Sequence, residues 1–231
     1  LDESIKDQII DFKKLHGDDK TQYATRKASE KSLELLNKNI ENFLGGSADL
    51  TGSNNTKTKD MSTFNAKNYK GSYVYYGIRE HAMAGIMNGL TLHGGIRAYG
   101  GTFLVFSDYC KNAIRLSAMM KQRVIYVMTH DSIGLGEDGP THQPVEHAMA
   151  LRSIPNFNVF RPADAKETAA SFKIALQQTN TPCALLLTRQ GIPILSLEEK
   201  TVHNGVSKGA YIIKDDDSNK VILFSPSAAS F

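Results

Sequence analysis

A single glutamate carries the clearest chemical signal in the sequence. Glu80 lies in residues 75–83, YYGIREHAM, where Gly77 lets the chain turn after a short apolar strand. The following residues are apolar at helical spacing, so Glu80 is predicted in the first turn of a buried helix. A carboxylate is seldom placed there only to be solvated. It could also serve simply to complement the positive end of the helix dipole, and this segment alone does not decide between the two.

Three aromatic residues form a second feature. Phe103, Phe106 and Tyr109 recur at every third position. Such a stripe ordinarily belongs to a helix that buries its apolar face. Here it follows directly on residues 100–102, GGT, at the end of a predicted strand. The rings could therefore begin at the edge of a sheet and form an apolar pocket for a planar heterocycle.

The glycine-rich segment 132–144 matches the spacing G-x-G-x-x-G, which is typical of dinucleotide-binding loops. We reject that interpretation because Glu137 and Asp138 would face the negative pyrophosphate, and because Pro140 does not begin the required helix. The segment instead predicts a structured lid that presents Asp138 and His142. A purely structural Ω-loop is the alternative.

Two histidines flank this lid. His130 precedes it and His142 lies near its end, with Asp138 between them. As a pair they could transfer protons or bind hydroxyl groups near neutral pH. Ordinary hydrogen-bonded packing is the alternative, and neither histidine has the spacing of a metal ligand.

Arg26, Ser53 and Arg189 come from three separate segments. Each alone would be an ordinary surface residue, but two guanidinium groups and a hydroxyl together suit a phosphate. The sequence contains no P-loop and no nucleophile elbow, so nucleotide hydrolysis and serine esterase chemistry have no support.

The elements that position these residues alternate along the chain. Periodicity predicts strands at 43–46, 73–76, 96–99, 124–128, 157–160 and 183–188, and helices at 22–38, 79–92, 105–119, 145–152 and 165–177. This order predicts an α/β fold, a three-layer sandwich in which helices cover both faces of a mostly parallel sheet. Glu80, residues 102–103, His130 and Arg189 each follow a predicted strand. Ligands of such sheets bind beyond the carboxyl ends of the strands, so these residues are expected to form one site.

Composition excludes several classes of protein. The chain has 231 residues, 41% of them hydrophobic, and a net charge of only +3 without a basic stripe, so no nucleic-acid or membrane partner is expected. Cys110 and Cys183 stand alone, which predicts free thiols in a reducing compartment, the cytoplasm.

The chain begins without Met and ends soon after a predicted strand at 221–224, which suggests a piece of a longer polypeptide. An unusual natural terminus is the alternative.

Together the segments resemble the central, pyrimidine-binding domain of transketolase, a thiamine diphosphate-dependent enzyme. The matching segments are 47–51 (SADLT), 76–83 (YGIREHAM), 100–103 (GGTF), 129–144 (THDSIGLGEDGPTHQP), 161–164 (RPAD) and 189–190 (RQ). The resemblance runs from about residue 25 to residue 193, and the lid motif is its most specific part. It implies residues 1–20 as an N-terminal linker segment, 21–197 as the pyrimidine-binding domain, and 198–231 as the start of a truncated C-terminal domain with a strand pair.

The resemblance implies a role for each candidate residue on the cofactor side. Glu80 would share a proton with the aminopyrimidine ring of thiamine diphosphate and so activate it. Phe103, Phe106 and Tyr109 would surround that ring. Leu50 would hold the cofactor bent, and Asp49 would lie against the thiazolium side.

The resemblance also implies the substrate side of the site. Arg26, Ser53, His130 and Arg189 match contacts to sugar phosphates, namely a ketose donor and an aldose acceptor. Asp138 matches a residue that hydrogen-bonds a substrate hydroxyl. His142 matches a histidine near the reacting exocyclic amine of the cofactor's aminopyrimidine ring. Glu80, His142 and His130 are therefore the expected catalytic residues. The reaction would be transfer of a two-carbon ketol unit in the pentose phosphate pathway.

The resemblance further implies that half of the site lies elsewhere. The family binds the diphosphate and its Mg²⁺ or Ca²⁺ through a Gly-Asp-Gly segment of another domain, which this sequence lacks, and the site forms across a homodimer. The chain alone is therefore expected to be inactive, with no metal ligands of its own. It is expected to dimerise through helix 79–92, where Gly85 and Gly89 allow close packing. A separately encoded subunit, dihydroxyacetone synthase and a non-catalytic module are the alternatives.

Overall fold

The computed structural model describes residues 22–213. The predicted linker at 1–20 and the predicted strand at 221–224 lie outside the described residues. The helices are α1 (Thr25–Asn39), α2 (Thr51–Asn54), α3 (Glu80–His93), α4 (Lys111–Met119), α5 (His147–Arg152), α6 (Ala165–Gln177) and α7 (Glu199–Ser207). The strands are β1 (Phe43–Ser47), β2 (Tyr73–Tyr75), β3 (Arg97–Phe103), β4 (Ile125–Thr129), β5 (Asn158–Phe160) and β6 (Cys183–Leu187).

These strands form one six-stranded sheet in the order β2-β1-β3-β4-β6-β5, and every neighbouring pair runs parallel. Parallel strands need crossover connections, and the helices between consecutive strands provide them. All carboxyl ends of the strands therefore meet at one edge of the sheet. The predicted α/β fold is confirmed.

The two faces of the sheet hold separate apolar cores. Alternate residues of β4 point to opposite sides, so Tyr126 packs with α3, α4 and α5, while Val127 packs with α1, α6 and α7. All five residues of β4 are buried, as a central strand covered on both faces requires. The molecule is thus three layers deep, as predicted.

Strand β3 is longer than the predicted 96–99, since it continues through residues 100–103. Its two central glycines suggest a turn in the sequence, yet they are needed inside the strand because other side chains pack against them. A Cβ on Gly100 would lie 2.4 Å from the sulfur of Met87, and one on Gly101 would lie 2.7 Å from Thr56 Cγ2. The extension carries Phe103 to the end of the strand.

The predicted helix 105–119 is in fact two elements. A 3-10 helix spans Leu104–Tyr109, and α4 follows it. A 3-10 helix has three residues per turn, so residues three apart lie on one face. Phe106 and Tyr109 therefore lie on this short helix and not on an α-helix, and Phe103 precedes it as the last residue of β3.

Residues beyond 197 begin with α7, which packs on α6 and buries Val202 and Val206 in the same core as Phe172. The domain boundary at residue 197 stays a prediction. Among residues 22–213, none of the helices has both the length and the apolar character needed to cross a bilayer.

Candidate functional site

Glu80 is the first residue of α3, as predicted. The chain turns at Gly77, whose φ of +70° suits glycine, and Arg79 then caps the helix. The Glu80 side chain is buried, with 7% of its surface exposed. Thr102 at the end of β3 donates a long hydrogen bond of 3.5 Å to Glu80 Oε1. The carboxylate thus lies at the carboxyl edge of the sheet. Among residues 22–213 its side chain makes no other hydrogen bond, which leaves most of its hydrogen-bonding capacity for a ligand.

The three aromatic residues line the same edge. Phe103 and Phe106 lie nearly parallel, with ring centroids 5.7 Å apart and an interplanar angle of 7°. Tyr109 tilts against Phe106 at 5.8 Å and remains exposed. The stripe is thus buried only at Phe103, with Phe106 half-buried and Tyr109 exposed, and it does not pack as a whole into the core as its spacing would ordinarily indicate. It forms a wall of rings on which a planar heterocycle can pack.

His130 joins this wall from the end of β4. Its ring stacks on Phe103 with centroids 3.7 Å apart, and its backbone adopts φ +58°, which is uncommon for a residue other than glycine. Burial, reinforced by the positive charge of Arg26, lowers the pKa of His130 from 6.5 to about 4. The imidazole is therefore neutral at pH 7, and its Nε2 lies 3.9 Å from Asp138 Oδ2.

The predicted lid folds back over the aromatic wall. It contains two 3-10 turns, Ile133–Leu135 and Pro140–His142, and Asp138 lies between them. The His142 ring meets Phe106 edge-on at 5.2 Å, and its Nδ1 lies 2.9 Å from Thr141 Oγ1. The lid thus brings both of its predicted side chains to the site.

The predicted phosphate-binding residues also come together. Arg26 in α1 donates from Nη1 to the backbone carbonyl of Ser53 at 2.8 Å. Arg189 follows β6 and lies close enough to lower the pKa of Arg26, after the larger effect of burial. The Nε of Arg26 is buried and, among residues 22–213, has no hydrogen-bond partner. Two neighbouring cations with an unused buried donor suit an anion.

Asp49 and Leu50 lie at the end of β1. Asp49 is exposed and has φ +64°, which turns the chain sharply into α2. Leu50 caps that short helix and donates its backbone N–H to Ser47 Oγ at 3.1 Å. Both residues therefore reach the correct edge of the sheet, although no contact joins Asp49 to Glu80 or to the aromatic wall among the residues described.

Three buried polar residues behind the site were missed in the sequence. Asn54 is fully buried and lies between Ser47 Oγ at 2.9 Å and Thr129 Oγ1 at 2.7 Å. Thr129 in turn lies 2.9 Å from His130 Nδ1. The signal was weak, because Asn54 sits in a long polar segment and Thr129 resembles any strand residue.

A second support was also missed. Arg161 donates from Nε to Asp131 Oδ2 at 2.8 Å and so anchors the residue that follows His130.

Separately, Asp108, Glu146 and His147 bring one possible metal-ligand atom each within 4.8 Å of the others, outside the aromatic wall. Both of these carboxylates are exposed, and His147 is engaged by Asp108 at 3.0 Å.

A family model described as the transketolase pyrimidine-binding domain matches residues 21–193. The chain is 55% identical over 202 residues to transketolase of Cereibacter sphaeroides, which covers 87% of this chain and 31% of that relative. A solved transketolase of Leishmania mexicana matches with a TM-score of 0.82 and 48% identity, over 85% of this chain and 29% of that one.

Two further solved structures bear on the site. Transketolase of Pichia stipitis in complex with sedoheptulose-7-phosphate matches with a TM-score of 0.81 and 46% identity, over 85% of this chain and 30% of that one. A split-gene transketolase, an inactive β4 tetramer, matches with a TM-score of 0.61 and 32% identity, over 76% of this chain and 54% of that one. The chain thus spans about a third of the full-length relatives and a larger share of the split-gene chain.

Proposed function

The chain belongs to the transketolase family, and we propose that it supplies the pyrimidine-binding half of a thiamine diphosphate site for ketol transfer between sugar phosphates. The observation that carries this proposal is the pairing of a buried, largely unengaged carboxylate with a wall of aromatic rings at one edge of the sheet. A nitrogen heterocycle needs both of these features, namely a flat apolar surface and a group that can hold a proton at a ring nitrogen.

The residues of the chain fit the aminopyrimidine ring. Phe103, Phe106 and Tyr109 provide the surface on which it packs. Glu80 approaches from the start of α3, held near Thr102, and shares a proton with a ring nitrogen. Once bound, the cofactor supplies an electron sink for breaking a carbon–carbon bond. Asp49 and Leu50 face its thiazolium side, where the sharp turn after β1 holds them.

The cationic side of the site binds the sugar phosphate. Arg26 and Arg189 neutralise the phosphate, and the unused Nε of Arg26 donates to it, with Ser53 nearby. His130 is neutral at pH 7 and hydrogen-bonds a substrate oxygen. The Pichia stipitis relative was solved with a sugar phosphate of this class, which supports the assignment.

The lid completes the substrate side. Asp138 accepts a hydrogen bond from a substrate hydroxyl, 3.9 Å from His130 Nε2. His142 lies edge-on to the aromatic wall and assists proton movement near the reacting amine. Glu80, His130 and His142 are thus the proposed catalytic residues.

The other half of the site belongs to a diphosphate-binding domain that carries Mg²⁺ or Ca²⁺ and comes from the second subunit of a homodimer. Large apolar side chains remain exposed next to Glu80, in the aromatic wall and in and after the lid, among them Ile78, Tyr109, Ile133 and Val145. An apolar rim of this kind is typical of a surface that another protein covers. The free thiols Cys110 and Cys183 agree with the proposed cytoplasmic location. The pentose phosphate pathway is proposed from the family alone.

A test separates the chain from its missing half. The 231-residue chain alone is expected to give no ketol transfer. A reconstituted enzyme, meaning this chain together with the separately expressed diphosphate-binding domain of the Cereibacter sphaeroides relative, should transfer ketol units when thiamine diphosphate and Mg²⁺ are added. Sedimentation checks that the two parts associate. Turnover by the chain alone, or none from the associated parts, contradicts the proposal.

Two alternatives stay open to the same assay. The similarity to a split-gene transketolase favours a separately encoded subunit as a second candidate, and an intact mass of the native gene product tests it. Dihydroxyacetone synthase differs in its acceptor. Formaldehyde preferred over aldose phosphates in the reconstituted enzyme would identify that activity.

A further inference from the structure

A series of buried hydrogen bonds connects Leu50, on the cofactor side of the site, to His130, on the substrate side. It begins at the backbone N–H of Leu50, passes through Ser47 and Asn54 to Thr129, and ends at His130 Nδ1. Each of the three linking side chains is fully buried. Its four hydrogen bonds have donor–acceptor distances of 3.1, 2.9, 2.7 and 2.9 Å, which are those of good hydrogen bonds.

The direction of donation along this series of hydrogen bonds is set by the backbone N–H of Leu50. A backbone N–H can only donate, so Ser47 Oγ accepts from Leu50. The single proton of Ser47 then has one acceptor within reach among the described residues, the side-chain oxygen of Asn54. Turning the Asn54 amide around would leave the buried Ser47 proton unsatisfied, which carries a desolvation cost. Asn54 therefore directs its NH₂ toward Thr129.

The same reasoning carries the direction onward. Thr129 Oγ1 accepts from Asn54 Nδ2, and the one proton of its hydroxyl then goes to His130 Nδ1. A ring nitrogen that accepts a hydrogen bond carries no proton. In neutral His130 the proton must then be on Nε2, the nitrogen that faces Asp138 at 3.9 Å.

We propose that Asn54 is a positioning residue, which acts through Thr129 to fix His130 with its proton on Nε2, so that His130 presents an N–H donor to an oxygen of the bound sugar phosphate. The glycine at position 101 belongs to this arrangement, because a Cβ there would lie 3.0 Å from Asn54 Oδ1. The neutral state of His130 at pH 7 agrees with it. The role toward the substrate rests on the proposed function, whereas the tautomer is a property of the chain alone.

The tautomer can be read directly from the 231-residue chain. Nitrogen-15 NMR of the histidine-labelled protein at pH 7 distinguishes protonated from unprotonated ring nitrogens, and a His130→Gln spectrum identifies the signals of that residue. We expect a protonated Nε2 and an unprotonated Nδ1. A protonated Nδ1 in the unsubstituted chain overturns the proposal without any variant at Asn54.

Asn54→Asp tests the cause, because it keeps the shape and removes the donor. A carboxylate can only accept, so Thr129 must turn its proton toward position 54 and then accept from His130 Nδ1–H. We expect the proton of His130 to move to Nδ1. An unchanged tautomer in a folded Asn54→Asp protein overturns the role of Asn54.

Two substitutions at Thr129 test the same hydrogen bonds if the Asn54→Asp protein does not fold. Thr129→Val keeps the shape but removes the hydroxyl, and we expect His130 to lose its single tautomer. Thr129→Ser restores the hydroxyl and should restore the tautomer. If valine and serine behave alike, the hydroxyl does not direct His130, and the proposal fails.

The reconstituted enzyme tests the consequence for substrate. Asn54→Asp and Thr129→Val should raise KM for a ketose phosphate about tenfold, the effect of one lost hydrogen bond, and Thr129→Ser should restore KM. An altered tautomer with an unchanged KM overturns the donor role of His130. Failure of the proposed function is a different result, namely no ketol transfer by the unsubstituted reconstituted enzyme.

Discussion

Within the part of the site that this chain supplies, two groups of residues differ in chemistry. We call them the acid half and the cation half. The acid half consists of Glu80, Thr102 and the rings of Phe103, Phe106 and Tyr109, carried by the first turn of α3, the end of β3 and the 3-10 helix after it. The cation half consists of Arg26, Arg189, His130 and Asp138. Of these, only Arg26 belongs to a regular helix. His130 and Arg189 closely follow β4 and β6, and Asp138 lies in the lid.

The difference agrees with the roles proposed for the two groups of residues. A carboxylate that controls a proton needs a buried, fixed position, and Glu80 is 7% exposed at the start of a helix packed against β3. Groups that recognise a phosphate need charge and access, and Arg189 is exposed. Glu80 is therefore expected to control the rate of the reaction, and the two arginines the affinity for substrate.

Removing the acid tests this division most severely. Glu80→Gln keeps the shape but cannot accept and return a proton, so kcat of the reconstituted enzyme should fall about 100-fold or more. Steady-state kinetics measures it. Glu34→Gln is the matched control, because that side chain pairs with Lys31 on the opposite face of the sheet and should leave kcat unchanged. A similar kcat for both variants would remove Glu80 from the chemistry.

The two arginines of the cation half should respond in KM and not in kcat. Arg189→Ala is expected to raise KM for phosphorylated sugars about 10-fold to 100-fold, the range for a hydrogen bond to a charged group. Unphosphorylated acceptors should be hardly affected. Arg115→Ala on α4 removes an exposed arginine whose Nη1 contacts Met119 Sδ and serves as control. Equal losses with both kinds of sugar would show that Arg189 does not bind phosphate.

The aromatic wall should show a smaller effect, limited to cofactor affinity. Phe106→Leu removes the parallel stack on Phe103 but keeps apolar volume. We expect the affinity for thiamine diphosphate to fall about threefold to tenfold, as the energy of one aromatic pair suggests. Calorimetry on the reconstituted enzyme measures it. Phe64→Leu, at an aromatic pair with Tyr69 in the segment between α2 and β2, should leave the affinity as it was.

The smallest effect concerns pH and belongs to His130. Its pKa is lowered from 6.5 to about 4 by burial, and Arg26, Asp138, Arg189 and His142 face it. Between these pH values the unfolded chain binds more protons at this residue than the folded chain does. The free energy of unfolding should therefore fall as pH drops from 6.5, with the whole loss present below about 4.

Urea unfolding at several pH values checks this slope in the 231-residue chain. His130→Gln should flatten it, whereas His93→Gln at the exposed end of α3 should retain it. A His130→Gln protein with the original slope would place the titrating group elsewhere.

Much of the fold could be predicted because local patterns determine it. The buried run of β4 and the helix that begins at Glu80 have clear periodicity, and the structure confirms both. The length of β3 could not be predicted, since residues 100 and 101 must be glycine to make room for Met87 and Thr56. That requirement comes from packing between segments and leaves no trace in local periodicity.

In the site, too, the features set by local sequence could be predicted and those set by contacts between distant segments could not. Residues at strand ends could be assembled in advance, because parallel strands bring their carboxyl ends together. The role of Asn54 could not be predicted, since its hydrogen-bond partner Thr129 lies 75 residues away in the sequence. Nor could the lowered pKa of His130, which depends on its burial against Phe103 and on the approach of Arg26.

The central claim is that Glu80 activates the cofactor held by the other half of the site. Exchange of the thiazolium C2 proton of thiamine diphosphate for deuterium, followed by proton NMR in the reconstituted enzyme, measures that activation without any sugar present. Exchange should be fast with the unsubstituted chain and fall about 100-fold or more with Glu80→Gln, while Glu34→Gln exchanges normally. Equally fast exchange with Glu80→Gln would contradict the account.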